Sequence, residues 1–181
     1  MAVLKNLNGQ LIRDSDRING LLQIWRSRLH SLKESHHSGL LSDTAKLDRW
    51  RNSPGLEVST WGQRLLQDLA LWSEEAWCEP LTIQPGSPRL LSFWEQQHHS
   101  HFHSGPEIIM ILRGNCTYSL EVAQHGTLEL WLEPGDVLQI GSFLSHRLNL
   151  GPLLELQAVR CFTSQDGWIS HQGSKISQPY P

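Results

Sequence analysis

The amino-acid sequence predicts a mainly β domain, a small sandwich or barrel, preceded by a helical N-terminal segment. Three observations point to this class. Beyond Pro80 the chain breaks into short apolar runs at regular spacing, separated by turns rich in Gly and Pro. Before Pro80 the apolar residues recur instead at the interval of one helical face. The length, 181 residues, gives one domain a full hydrophobic core and is short for two. The expected organisation is a hairpin and helices over 1–80 packed on the barrel, the barrel itself over 81–173, and a loosely ordered polar tail over 174–181.

Taken in order, Val3-Leu4 and Leu11-Ile12 flank Asn8-Gly9, a hairpin turn signal, and predict a two-stranded start that joins a larger sheet. Asp14 is a plausible N-cap for a helix whose apolar face is Ile18, Leu21, Leu22, Trp25 and Leu29. A second short helix is expected around Ala45, Leu47 and Trp50 before Pro54-Gly55, and a third across Leu65, Leu66, Leu69, Trp72 and Trp77. The tryptophans of this half are expected in the core. The strands expected next are 81–83, 90–94, 107–112, 116–122, 128–132, 137–140 and 154–162. Turn signals separate them at Pro85-Gly86, Gly105-Pro106, Gly114-Asn115, His125-Gly126, Pro134-Gly135 and Gly151-Pro152.

Composition excludes several partner classes. A net charge of −3 leaves no basic field to gather nucleic acid or anionic lipid, so the expected ligand is a small molecule. The start Met1-Ala-Val-Leu-Lys-Asn lacks an apolar signal region, and no run of about 18 apolar residues appears, which predicts a cytoplasmic protein without membrane contact. Cys78, Cys116 and Cys161 are odd in number and widely spaced, which predicts reduced thiols rather than a disulfide framework.

Ten histidines are many for this length, and four of them, His98, His99, His101 and His103, lie within six residues. His101 and His103 are two apart, so on an extended strand both imidazoles project from one face, as two ligands of one ion must. Glu107 follows across a Ser-Gly-Pro bend. His146 lies 39 residues further on and joins the others only if the sheet closes and brings a distant strand alongside. Three imidazoles and one carboxylate suit Fe(II), Ni(II), Mn(II) or Zn(II) and leave positions open on an octahedral ion for a bidentate substrate or dioxygen. A purely structural zinc site is disfavoured, because such sites are closed and rich in Cys, and no cysteine falls here. His98 and His99 read as a solvated surface stretch.

These residues resemble the cupin motifs. His101-Phe-His103-Ser-Gly-Pro-Glu107, then six residues to Gly114, has the spacing of the first. Gly135 and His146 fit the second, where Gly141 and Phe143 replace the usual Pro and Gly; Glu95 replaces the first motif's leading glycine. Among cupins the chain is most similar to the acireductone dioxygenases. The likeness runs through Asn8-Gly9 and the following helix, Pro88, the first motif, Glu133-Pro-Gly-Asp136, Ala158-Val-Arg160-Cys-Phe162 and Gly167-Trp168.

The resemblance implies a double-stranded β-helix (jelly-roll) barrel holding one Fe(II) or Ni(II) per chain on His101, His103, Glu107 and His146. It implies a soluble enzyme of methionine salvage, a monomer or small homo-oligomer, using O₂ on the acireductone 1,2-dihydroxy-3-keto-5-methylthiopentene. Arg160 matches a catalytic arginine of that family, while Ile109, Phe143 and Trp168 fall to the substrate pocket. Arg147, beside His146, should point away. Two departures stand out: the family's Glu-x-Arg becomes Glu107-Ile-Ile109, and the acidic residue before the ligand Glu becomes Pro106. They favour an alternative, a metal-binding cupin with another small-molecule activity, as isomerase or sensor.

Overall fold

In the computed structural model, which describes residues 2–31, 56–122 and 126–172, two antiparallel sheets face each other across one core. The N-terminal hairpin forms as its turn signal requires. β1 (Val3–Lys5) pairs with β2 (Leu11–Ile12), and Gly9 takes φ +77°, a left-handed conformation open to glycine at no steric cost. Asp14 caps α1 (Ser15–Leu22) by accepting from the Arg17 amide at 2.7 Å. The helix stops earlier than the apolar spacing predicts. A single 3₁₀ turn over Gln23–Trp25 ends at Arg26 with φ +54°, and the chain reverses into β3 (Arg28–Ser31). Leu29 is still buried, but as a strand residue held by Asn19, whose side chain donates to the Leu29 carbonyl and accepts from its amide.

α2 (Leu56–Asp68) follows, and β4 (Trp77–Ile83) begins with Trp77, which the sequence pattern had assigned to a helix. The second correction is 90–94. That apolar run is not a strand but the middle of α3 (Pro88–Gln97), opened by Ser87, whose hydroxyl accepts from the Arg89 amide, with Pro88 in the first turn. Next come β5 (His101–Phe102), β6 (Glu107–Gly114), β7 (Cys116–Val122), β8 (Gly126–Leu132), β9 (Asp136–Ile140), β10 (His146–Leu150), β11 (Leu156–Phe162), a 3₁₀ turn over Gln165–Trp168, and β12 (His171–Gln172). The helix expected near Ala45, Leu47 and Trp50 and the tail 174–181 lie outside the described residues.

The strand order is β12-β5-β10-β7-β8-β1-β2 in one sheet and β3-β9-β6-β11-β4 in the other. The sheets pack as an open sandwich and do not join into a closed barrel, a correction to the expected closure. Before Pro80 β1 and β2 join the larger sheet as their turn signal predicts, and β3 and the start of β4 take up Leu29 and Trp77, which were expected on helices. Alternation along β6 and β11 divides the core. Ile109, Ile111, Leu156 and Ala158 face the space between the sheets, whereas Ile108, Met110, Val159 and Cys161 form a second cluster with Leu65 and Leu66 of α2.

Cys78 and Cys161 are register partners on β4 and β11 and form a disulfide, against the expectation of three reduced thiols; Cys116 is free and buried. Of the tryptophans expected in the core, Trp25 and Trp77 are half-buried and Trp72 is exposed. No helix among the described residues is long and apolar enough to cross a membrane.

Candidate metal centre

Strand pairing, not sheet closure, brings the distant histidine in. β5 and β10 are neighbours, with His101 and His146 in register. Glu107 opens β6 in the facing sheet, and His103 sits in the bend between them. All four side chains are buried, none more than 3% exposed. One ring nitrogen from each of His101, His103 and His146 lies within 4.8 Å of the others.

Hydrogen bonds orient each imidazole. Nδ1 of His101 donates to the His99 carbonyl at 3.0 Å, that of His103 to the Ile169 carbonyl at 3.2 Å, and that of His146 to the Leu144 carbonyl at 2.8 Å. A carbonyl can only accept, so these contacts fix Nδ1 as the protonated nitrogen and leave a lone pair on Nε2. Nε2 of His101 and of His103 is buried and has no hydrogen-bond partner. Nε2 of His146 lies 3.0 Å, and that of His103 3.4 Å, from Glu107 Oε2. Lone pairs this close to a carboxylate oxygen need a cation among them. Three neutral imidazoles and one carboxylate converging in a buried volume are the donor set a divalent transition ion takes, and the residues fit such an ion.

The protonation states agree. Burial lowers the pKa of His101 and lowers that of His103 to about 4, so both rings remain neutral ligands at ordinary pH. Burial alone would favour the neutral acid at Glu107. The close approach of His146, with Arg160 and His103 beside it, outweighs burial and holds the carboxyl well below its usual range.

Around these four, Tyr118 donates to Glu107 Oε1 at 3.4 Å. Arg160 is the in-register partner of Ile109 and faces the same interior. Its Nε and Nη2 donate to Glu79 Oε1 at 2.9 and 2.5 Å, while Nη1 lies 3.9 Å from Glu107 Oε1. Arg160 also lines an open cleft of about 300 Å³ with Glu79, Leu81, Phe93 and Gln96. Ile109 is wholly buried and apolar, two residues along the strand from Glu107.

The other predicted site residues lie further out. Phe143 is 39% exposed, 6.3 Å between ring centroids from Phe102, and its amide donates to the His103 carbonyl. Trp168 reaches the cluster through a series of rings: it abuts Trp77, which stacks on Phe162, whose ring lies 5.2 Å from that of His103. His98 stacks on Trp94, its Nδ1 donating to the Trp94 carbonyl, and neither it nor His99 belongs to the converging group. Arg147 is exposed on β10. Glu79 and Tyr118 were not singled out from the sequence. Strand parity could have turned both inward, but their partners are set by inter-strand register, which local sequence does not carry.

The model of the ARD/ARD′ family matches residues 81–170. An acireductone dioxygenase of Nostoc sp. is 30% identical over 102 residues, covering 56% of this chain and 56% of its own length. One from Hahella chejuensis is 24% identical over 157 residues, 77% of this chain and 84% of that protein. The chain thus matches little more than half the length of the Nostoc relative. Among solved structures, an acireductone dioxygenase from Bacillus anthracis with a cadmium ion in its active centre superposes over 94% of this chain and 98% of its own, with TM-score 0.69 and 16% identity. That likeness establishes a shared fold.

Proposed function

The chain belongs to the ARD/ARD′ family, and from that premise we propose that it is a metal-dependent dioxygenase that acts on the acireductone of methionine salvage with O₂ as co-substrate. Its ligands are His101, His103, Glu107 and His146, and its cofactor is one Fe(II) or Ni(II) per chain. The observation that carries this reading is the convergence of three buried imidazole nitrogens, two of them without a hydrogen-bond partner, beside the buried Glu107 carboxylate. When bound, the metal supplies Lewis acidity and a template on which enediol and O₂ meet.

The protein's own part is orientation and charge. The three backbone carbonyls hold the imidazoles with Nε2 inward. Arg160 offers its positive charge to an anionic substrate arriving from the cleft it lines. Its partner Glu79 offsets part of that charge, and Ile109 adds none. In this reading Phe143 and Trp168, both exposed, act at the periphery of the substrate site.

Ile109 also supports a second reading. An apolar side chain on the interior face beside the ligands serves a less charged substrate better than an enediolate dianion, which suits a divergent member acting as isomerase or sensor. Oxygen uptake with an acireductone, measured on iron-loaded and nickel-loaded protein, separates the two. The dioxygenase reading expects uptake with either metal. It also expects a fall in kcat/KM of about a hundredfold or more in Arg160→Ala and a rise in Ile109→Arg. Full metal occupancy without uptake, unchanged by Ile109→Arg, would leave the second reading in its place. The ligand set is tested by metal analysis. His101→Ala and Glu107→Ala should lose stoichiometric metal, and His98→Ala and His99→Ala should keep it.

A further inference from the structure

β5 is only two residues long, and its pairing with β10 rests on the single register pair His101 and His146. So short a ladder fixes two imidazoles poorly on its own. Behind it lies a bridge. The hydroxyl of Ser100, the residue before His101, donates to Glu121 Oε1, and the hydroxyl of Ser145, the residue before His146, donates to Glu121 Oε2 at 2.9 Å. The Glu121 amide adds a bond to the Ser145 carbonyl at 2.8 Å, which carries the β7–β10 ladder one step past Leu120 and His146. Both oxygens of one carboxylate are thus engaged by the residues that immediately precede two of the three converging histidines.

Alternation along β7 turns Leu120 into the core and Glu121 to the opposite face of the sheet, so this carboxylate is not itself a ligand. We infer that Glu121 is a positioning residue: it clamps the start of β5 to the start of β10 and so sets the separation at which His101 and His146 meet a metal ion. The inference rests on those two histidines being ligands. Hydrogen bonds to an ionised acceptor are shorter and stronger than neutral ones, and Ser145 is buried, so removing the carboxylate also strands a hydroxyl that has no access to water. His103 is held separately, by the Ile169 carbonyl and the Phe143 amide, and should be little affected.

The test titrates the full-length protein with Co(II), following heat and the visible d–d absorption, which reports coordination geometry. Glu121→Ala should weaken Co(II) binding by about tenfold or more and change the spectrum. Glu121→Gln should recover most of both, since its amide can accept from one serine and donate to the other. In the metal-free state, amide exchange over 98–103 should be faster in Glu121→Ala than in wild type. If Glu121→Ala is insoluble, the double variant Ser100→Ala/Ser145→Ala deletes the same two bonds from the other side and is held to the same outcomes. Wild-type affinity, spectrum and exchange in the carboxylate deletion overturn the role of Glu121, provided wild type binds one equivalent and His101→Ala does not. A wild type that binds no Co(II) instead overturns the ligand reading, and the inference with it.

Discussion

Phe143 sits with φ +61° where cupin motifs usually carry glycine, and its amide nonetheless makes the bond to His103 that the turn requires. A left-handed backbone costs a residue with a Cβ roughly 1–2 kcal/mol. The ring is 39% exposed, so relief of that backbone strain is the larger part of what a glycine would change. Phe143→Gly should therefore raise stability by about 0.5–1 kcal/mol after the extra chain entropy of glycine is subtracted. Thermal unfolding of the metal-free protein reads this directly, and a lower Tm would mean that the ring is packed more usefully than its exposure implies. At this scale much of the candidate site was legible. Parity placed His101 and His103 on one face and Ile109 inward from Glu107. His146 needed the family resemblance, because nothing local links residues 39 apart, and Glu79, Tyr118 and Glu121 depend on register alone.

Among the elements, β6 to β9 and β11 were readable because apolar runs bounded by left-handed turn glycines, Gly114 and Gly135, mark them, whereas β10 was absent from the expected strands. The run Leu90-Leu-Ser-Phe-Trp94 was not readable, since five apolar-rich residues fit either period. The decisive signal was the Ser87-Pro88 helix start just before them. Trp77 and Leu29 fell to neighbouring strands for a related reason: a buried position satisfies the apolar spacing whichever element supplies it. The disulfide was illegible because it depends on β4 and β11 lying in register. Its packing also explains Gly62 on α2. A Cβ there would overlap both Sγ and Cβ of Cys78 and press on Cys161. Gly62→Ala, neutral or helpful in an exposed helix, should instead cost about 1–3 kcal/mol as the helix is pushed off the sheet. Denaturant unfolding that shows no loss would mean α2 yields at this contact without cost.

The whole molecule carries a pH dependence whose sign follows from its buried histidines. His30, on the edge strand β3, has its pKa lowered to about 4 by burial, with the charge of Arg28 adding to the effect. His103 is lowered to about 4 and His101 is lowered as well. The unfolded chain therefore binds protons at these rings near the ordinary value of 6.5, while His30 and His103 in the fold resist until about 4. Stability must fall as pH drops through that window and level off below it. Glu107 acts in the same direction at lower pH, because its carboxyl is held ionised in the fold below its ordinary range, and stabilisation is lost as acid titrates it. A divalent ion on neutral imidazoles and a carboxylate adds stability that is lost only where acid titrates those ligands in the fold, since protons and metal compete for the same lone pairs. Contributions from His30 should be indifferent to it. Three acid titrations of unfolding free energy separate these parts. Metal-free wild type should lose stability progressively between pH 6.5 and 4. Saturating Ni(II) should move its acid midpoint downward. His30→Gln should lessen the loss in that window by the same amount with or without the ion. A metal-free curve that stays flat to pH 4.5 would show that these rings take up protons without unfolding the protein. A nickel effect that disappears in His30→Gln would place the ion somewhere other than the four converging side chains.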